Sequence, residues 1–195
     1  MSGTFPTAGF ETLDFQSNVQ SRVTVSVSGK AQRLKVGAQY WSFRLRSPAM
    51  SRSDFMSVYS FIVKQDGQYG SFTVIPPVVA SSRGTAAGTV TVNATAAAGA
   101  LTCNVAGGTG TLKKGDLIKF SNHDKVYMLT EDVNLDESTV DTLNFYPNLV
   151  SSISNTTTIT YTNVPIKVYL DSDQQKYIAQ ADGTYKYEIT VNEEI

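Results

Sequence analysis

The chain of 195 residues is short of the side chains that carry most protein chemistry: it has one cysteine, one histidine and one tryptophan. A single Cys103 excludes an intrachain disulfide and any zinc site built on paired thiolates, and is expected to be an inert core thiol. Sixteen basic against seventeen acidic residues leave a net charge of -1. That balance lacks the basic field with which nucleic-acid binders displace counterions from phosphates. No apolar run approaches the roughly 20 residues of a membrane span. The opening MSGTFPTAGFETLDF has neither the charged nor the apolar region of a signal peptide, so synthesis and folding in a cytoplasm are expected. What is present, at 41% hydrophobic residues, suffices for an ordinary globular core.

The patterning of that hydrophobic content is mostly that of strands. RVTVSVS, residues 22–28, alternates Val23, Val25 and Val27 with polar residues, the period of a strand buried on one face. Ser28-Gly29-Lys30 then turns the chain. In QRLKVGAQYWSFRLRS the apolar parity switches between Tyr40 and Trp41, which predicts a bulge or bend there and a bent antiparallel hairpin. Phe55, Val58, Tyr59 and Ile62 recur at helical spacing behind Ser51, an N-cap with Asp54 three residues on. A helix over about 51–64 follows, with Gly67 as its stop. GSFTVIPP is a strand that Pro76 and Pro77 terminate.

Composition shifts at Ser81. From there to Thr111, 23 of 31 residues are Ser, Thr, Gly or Ala, so large apolar surface is scarce, although GTVTVNAT and GALTCNVA keep strand alternation. This stretch predicts entry into a small inserted β domain over 81–152, continued by LKKGDLIKF, KVYMLT and TVDTLNFYPNLV. The flanking regions 1–80 and 153–195 form the main β domain. Asp182-Gly183 turns its closing hairpin. The fold class predicted is mainly β: an antiparallel sandwich or barrel with one packed α-helix and the inserted β domain.

Candidate chemistry is sparse. His123 sits in SNHDK, residues 121–125, where Asn and Asp favour a hairpin loop; a metal site would need ligands from elsewhere. Asp171 and Asp173 are two apart, but DSDQQK lacks the further donors and glycine of a calcium loop. VAGGTGTLKKG lacks the Gly-Lys-Ser/Thr ending of a phosphate loop. No acid/base pair or activated nucleophile stands at a recognisable spacing, so no enzyme, cofactor or metal is expected. The aromatics Tyr40, Trp41, Phe43, Tyr59, Tyr69 and Tyr146 are expected to pack a β core rather than form a sugar-stacking platform.

Three stretches carry a family resemblance: the opening FPTAGFETLDFQSNVQSRVTVSVSGKAQRLKVGAQYWSFRLRSPAMSR, the insert phrase LKKGDLIKFSNHDKVYMLTEDV, and the closing VYLDSDQQKYIAQADGTYKYEITVNEE. Each resembles segments of bacteriophage tail and baseplate proteins, particularly distal-tail, tube-initiating ring subunits. The resemblance implies a virion structural protein, a subunit of a sixfold ring joining the tail tube to baseplate components. Its implied partners are copies of itself and other tube and baseplate proteins. Residues 1–80 hold eight Lys and Arg against four Asp and Glu, while residues 153–195 hold three against six. With a ring in view, Arg44, Arg46 and Arg52 are expected to meet Asp171, Asp173 or Glu193 of a neighbour. The alternative expectation is a virion carbohydrate-binding or adhesin module whose insert shows aromatics to host glycans.

Overall fold

A computed structural model of the protein describes residues 3–6 and 10–195. In chain order the elements are β1 (Thr12–Asn18), β2 (Ser21–Val25), β3 (Ala31–Lys35), β4 (Tyr40–Arg46), α1 (Arg52–Lys64) and β5 (Ser71–Val74). They continue with β6 (Val90–Val92), β7 (Thr102–Ala106), β8 (Gly110–Leu112), β9 (Leu117–Phe120), β10 (Val126–Leu129), β11 (Val133–Leu135) and β12 (Val140–Tyr146). The last four are β13 (Thr158–Thr160), β14 (Ile166–Leu170), β15 (Tyr177–Ala179) and β16 (Tyr185–Glu193). The fold is mainly β and antiparallel with one α-helix, as the alternation predicts. Two compact units divide the chain: Pro6–Ser71 with Tyr169–Glu194, and Phe72–Val168 with residues 3–5. The chain passes between them within β5 and β14.

The first unit is organised by β16. This strand pairs antiparallel with β4, setting Ile189 opposite Leu45 and Val191 opposite Phe43. On its far side β4 pairs with β1, Phe15 opposite Phe43. Because side chains alternate across a strand, Trp41, Phe43, Leu45, Ile189 and Val191 share the buried face. Arg44, Arg46 and Glu188 share the outer face. Phe15 stacks on Trp41 with ring centroids 5.0 Å apart. Helix α1 begins where the sequence places it: the Ser51 side chain accepts a hydrogen bond from the Asp54 N–H, satisfying a donor that the first helical turn leaves open. It buries Phe55, Val58 and Ile62, and the Phe55 ring stacks on Tyr185 at 5.1 Å. Asp66 and Gly67 after it take positive φ values of 58° and 64°, so Gly67 lies in the conformation that costs a glycine least. The expected closing hairpin is present: β15 pairs with β16 through a turn in which Gly183 has φ 82°.

Two expectations for the N-terminal strands need correction. The run RVTVSVS does not bury one face. β2 pairs only with β3 in a two-stranded sheet, and every residue of both strands is exposed. Nor is QRLKVGAQYWSFRLRS one bent strand with its break at Tyr40–Trp41. It is two strands in different sheets, separated at residues 36–39. The parity switch marks that change of sheet, which alternation alone cannot distinguish from a bulge.

In the second unit, β10, β12, β7, β6, β13 and β9 close a barrel in that order. Closure pairs every strand on both sides and removes sheet edges. Its centre holds Val90, Val105, Ile118, Phe120, Tyr127, Leu143 and Phe145, all at most 2% exposed. Cys103 lies in this core, where burial pushes its thiol pKa up to about 12. The barrel includes β13, which lies past residue 152, in the stretch expected to be the return to the main domain. Part of the Ser/Thr/Gly/Ala-rich stretch is small-residued for a packing reason. Residues 84–87 run beside β8, joined by hydrogen bonds such as Ala86 N–H to the Thr111 carbonyl at 3.0 Å. A Cβ on Gly84 would fall 1.8 Å from the Thr111 carbonyl oxygen, and one on Gly110 2.3 Å from that of Thr85. No side chain fits between the two backbones.

Candidate functional site

The sole histidine is a structural group at a hairpin tip. Residues 121–125 turn the chain between β9 and β10, as the Asn and Asp content predicts. His123 Nδ1 lies 2.8 Å from Asn122 Oδ1, and Nε2 lies 2.8 Å from the Tyr127 hydroxyl. That hydroxyl also accepts the Val150 N–H at 3.2 Å. Burial lowers the His123 pKa, the charge of Lys119 lowers it further, and Asp124 opposes both. Asp124 does not orient the imidazole in a triad: its carboxylate pairs with Lys119 at 2.9 Å and Lys167 at 3.4 Å. Lys125, read from the sequence as part of the polar tip, is 1% exposed. Among the described residues no three His, Cys, Asp or Glu side chains converge as a metal would require.

The most heavily bonded carboxylate of the barrel unit is Asp116, whose side chain is 1% exposed. It accepts from Ser82 Oγ, the Arg83 N–H at 3.1 Å, Arg83 Nε at 3.3 Å and the Lys113 N–H at 2.9 Å. Burial by itself would raise its pKa. The hydrogen bonds from Ser82, Lys113 and Arg83 outweigh that and hold it below the ordinary carboxylate value. Asp116 thereby ties residues 82–83 to the turn before β9.

The residues expected at an interface lie in the first unit. Glu188 bridges two of them, with Oε1 3.3 Å from Arg44 Nη1 and Oε2 3.0 Å from Arg46 Nε. All three side chains are over 40% exposed. Arg52 opens α1 and is exposed. Asp171 Oδ1 accepts from Asn192 Nδ2 at 2.7 Å, and Asp173 Oδ1 accepts the Gln68 N–H at 2.9 Å. Glu193 is different. It is 3% exposed, and its carboxylate accepts the Trp41 N–H at 3.0 Å, so in the single chain it holds β4 in place. Glu188, which sequence reasoning passed over, is the exposed acid beside the arginines. Its alternation with buried Tyr187 and Ile189 was the available signal.

An open groove of about 720 Å³ also lies in this unit, lined by Glu11, Arg46, Asp171, Ile178 and Glu188 among others. Trp41 and Phe43 are core residues, at 3% and 1% exposure, and supply no exposed stacking platform. Tyr69 is exposed at 89%. Exposed apolar residues also cluster on and beside the β2–β3 hairpin: Val19, Val23, Val25, Val27, Leu34 and Val36 are each at least 44% exposed.

Residues 80–164 match the family model "Distal tail protein pb9, B domain", a span that contains every strand of the closed barrel. Over 149 residues the chain is 29% identical to distal tail protein pb9 of Escherichia phage T5, an alignment covering 74% of this chain and 71% of that protein. These similarities support a phage tail structural protein of the distal-tail type. Its place is the virion tail, in keeping with the resemblance carried by the three sequence stretches. Among the described residues no helix is long and apolar enough to cross a membrane.

Proposed function

We propose that this distal-tail-type protein is a ring-forming subunit, sixfold in its assembly, that joins the tail tube to baseplate components. The reading treats the barrel region as a domain inserted into the main β domain. One observation carries it: on and beside a single two-stranded hairpin, and on both of its faces, Val19, Val23, Val25, Val27, Leu34 and Val36 are all exposed. An isolated hairpin is marginal in water, and apolar patches of this kind mark surfaces that other protein covers. In a ring, one surface of each copy meets a different surface of the next, and closure hides both. Arg44, Arg46 and Arg52 are the cations offered to such a neighbour and Asp171 and Asp173 the carboxylates, with Arg46 and Asp171 lining one groove. Exposed ion pairs such as Arg46 with Glu188 contribute only about 0–1 kcal/mol, so a neighbour's carboxylate can replace Glu188 at little cost. Glu193 acts from beneath, through its hold on β4.

The test is imaging of assembled tails carrying a tag in the exposed Asp182–Gly183 turn, with light scattering of the purified chain. Label in a ring where tube meets baseplate, and a solution mass that is a multiple of 21.1 kDa, are expected. Label spread along the tube, or a chain that stays at 21.1 kDa and is missing from that junction, would overturn the proposal.

A further inference from the structure

The hydrogen bonds around His123 run in one direction, which the donor and acceptor chemistry fixes atom by atom. The Ser152 carbonyl can only accept, and Asn122 Nδ2 donates to it at 2.9 Å, so Asn122 Oδ1 faces the His123 ring at 2.8 Å. That oxygen also only accepts, which places the ring hydrogen on Nδ1. In a neutral imidazole Nε2 is then the bare nitrogen, and the Tyr127 hydroxyl donates to it at 2.8 Å. The same hydroxyl oxygen accepts the Val150 N–H at 3.2 Å. The ring is therefore the middle link between the 121–125 turn and residues 150–152.

Those residues are the loose middle of a segment anchored at both ends. Leu149 and Ile153 are 2% and 0% exposed in the barrel core. Backbone bonds fix both: the Leu149 N–H donates to the Ala100 carbonyl and the Ile153 N–H to the Ala96 carbonyl, each at 2.9 Å. Val150, Ser151 and Ser152 between them are exposed. A proton added to the ring must go to Nε2, where it meets the Tyr127 O–H hydrogen. The hydroxyl has to turn, and Val150 then competes with the ring for its oxygen. The ring charge is also disfavoured by its surroundings. Lys119 of β9 repels it; Asp124 attracts it, but that carboxylate is engaged by Lys119 and by Lys167 of β14. Residues 147–153 bring no ionisable side chain.

We propose that His123 is a proton-operated latch: with the ring neutral it holds residues 150–152 to the 121–125 turn, and a proton on Nε2 releases them while Leu149 and Ile153 stay anchored in the core. These two exposed stretches of the barrel unit are thus held in one shape at neutral pH and loosened in mild acid, however copies of the chain assemble. The sign follows from the environment of the ring. Burial first, and the Lys119 charge next, lower its pKa from the ordinary 6.5. The closed latch is therefore fully favoured above that ordinary value and loses its advantage as pH falls through the lower folded one.

Because the chain has one histidine, its ring protons give a single imidazole signal in the NMR spectrum of the untagged full-length protein. Titration between about pH 7.5 and about pH 5 is expected to move that signal with a midpoint below 6.5. Exchange protection of the Val150 amide is expected to fall about fivefold with the same midpoint, the equivalent of one hydrogen bond. Leu149 and Ile153 are internal controls whose protection is expected to hold constant. His123→Gln is expected to abolish the pH dependence at Val150. Tyr127→Phe, which removes only the hydroxyl, is expected to leave Val150 poorly protected throughout and to raise the histidine midpoint. A midpoint at or above 6.5 in the parent chain, or Val150 protection that does not follow the ring, would overturn the latch. Equal losses at Leu149, Val150 and Ile153 would overturn it too, since they report general acid destabilisation of the barrel, and so would a pH dependence that survives in His123→Gln.

Discussion

The tripeptide Val-Thr-Val occurs twice, at residues 23–25 in the arm formed by β2 and β3 and at residues 90–92 in the barrel. In β6 the two valines are 0% and 1% exposed; in β2 they are 58% and 62% exposed. Local sequence is identical and burial is opposite, so the difference lies in what surrounds the strand. β6 has strands on both sides and the barrel interior beneath it, whereas β2 has one partner strand and no core. Strand alternation reports which side chains share a face. It does not report whether the covering layer belongs to the same molecule or to another.

If that comparison is right, substitutions in the barrel should cost the single chain far more than the same substitutions in the arm. The largest effect is expected from Phe120→Ala, which removes a ring at the barrel centre that meets Tyr127 and Phe145 edge-on. A loss of about 3–5 kcal/mol is expected in urea unfolding. A loss below about 1 kcal/mol would mean that the barrel is not a packed core.

Asp116→Asn comes next, at about 2–3 kcal/mol, since it replaces a charged acceptor of several hydrogen bonds with a group that cannot satisfy all of them. Its folded pKa is depressed. The stability it contributes is therefore present above the unfolded value near 4 and lost as pH falls through the lower folded value. Amide hydrogen exchange in β9 should accelerate in acid below about pH 4 for the parent chain, and show much less of that dependence in the variant.

The sharpest comparison is the smallest in size. Val92→Ala is expected to cost about 2 kcal/mol, whereas Val25→Ala should change the unassembled chain by less than about 0.5 kcal/mol. Equal losses in the two would show that the arm is covered within its own molecule.

Much of the fold was legible because its signals are local. Helix α1 declared itself through Ser51, Asp54 and the spacing of Phe55, Val58 and Ile62, and the closing hairpin through Asp182-Gly183. What was not legible depends on partners distant in sequence. Glu188 meets Arg46 across a separation of 142 residues, and nothing near either residue announces it. Glu193 reads as a surface acid near the end of the chain, yet it is buried because the backbone of Trp41 needs an acceptor there. Lys125 reads as part of a polar tip and is buried beside the barrel core. β13 reads as the return to the main domain, but it supplies the strand that pairs with both β6 and β9.

A hoop of six strands has no first and no last member, so nothing in it can be lengthened by a stranger. Whatever meets the barrel does so through its turns, such as residues 121–125, or through outward side chains such as Val140 and Thr142, and not by adding a strand. Those turns can be rewritten from one phage to another without exposing an unpaired strand, which lets recognition change while the frame that carries it stays the same.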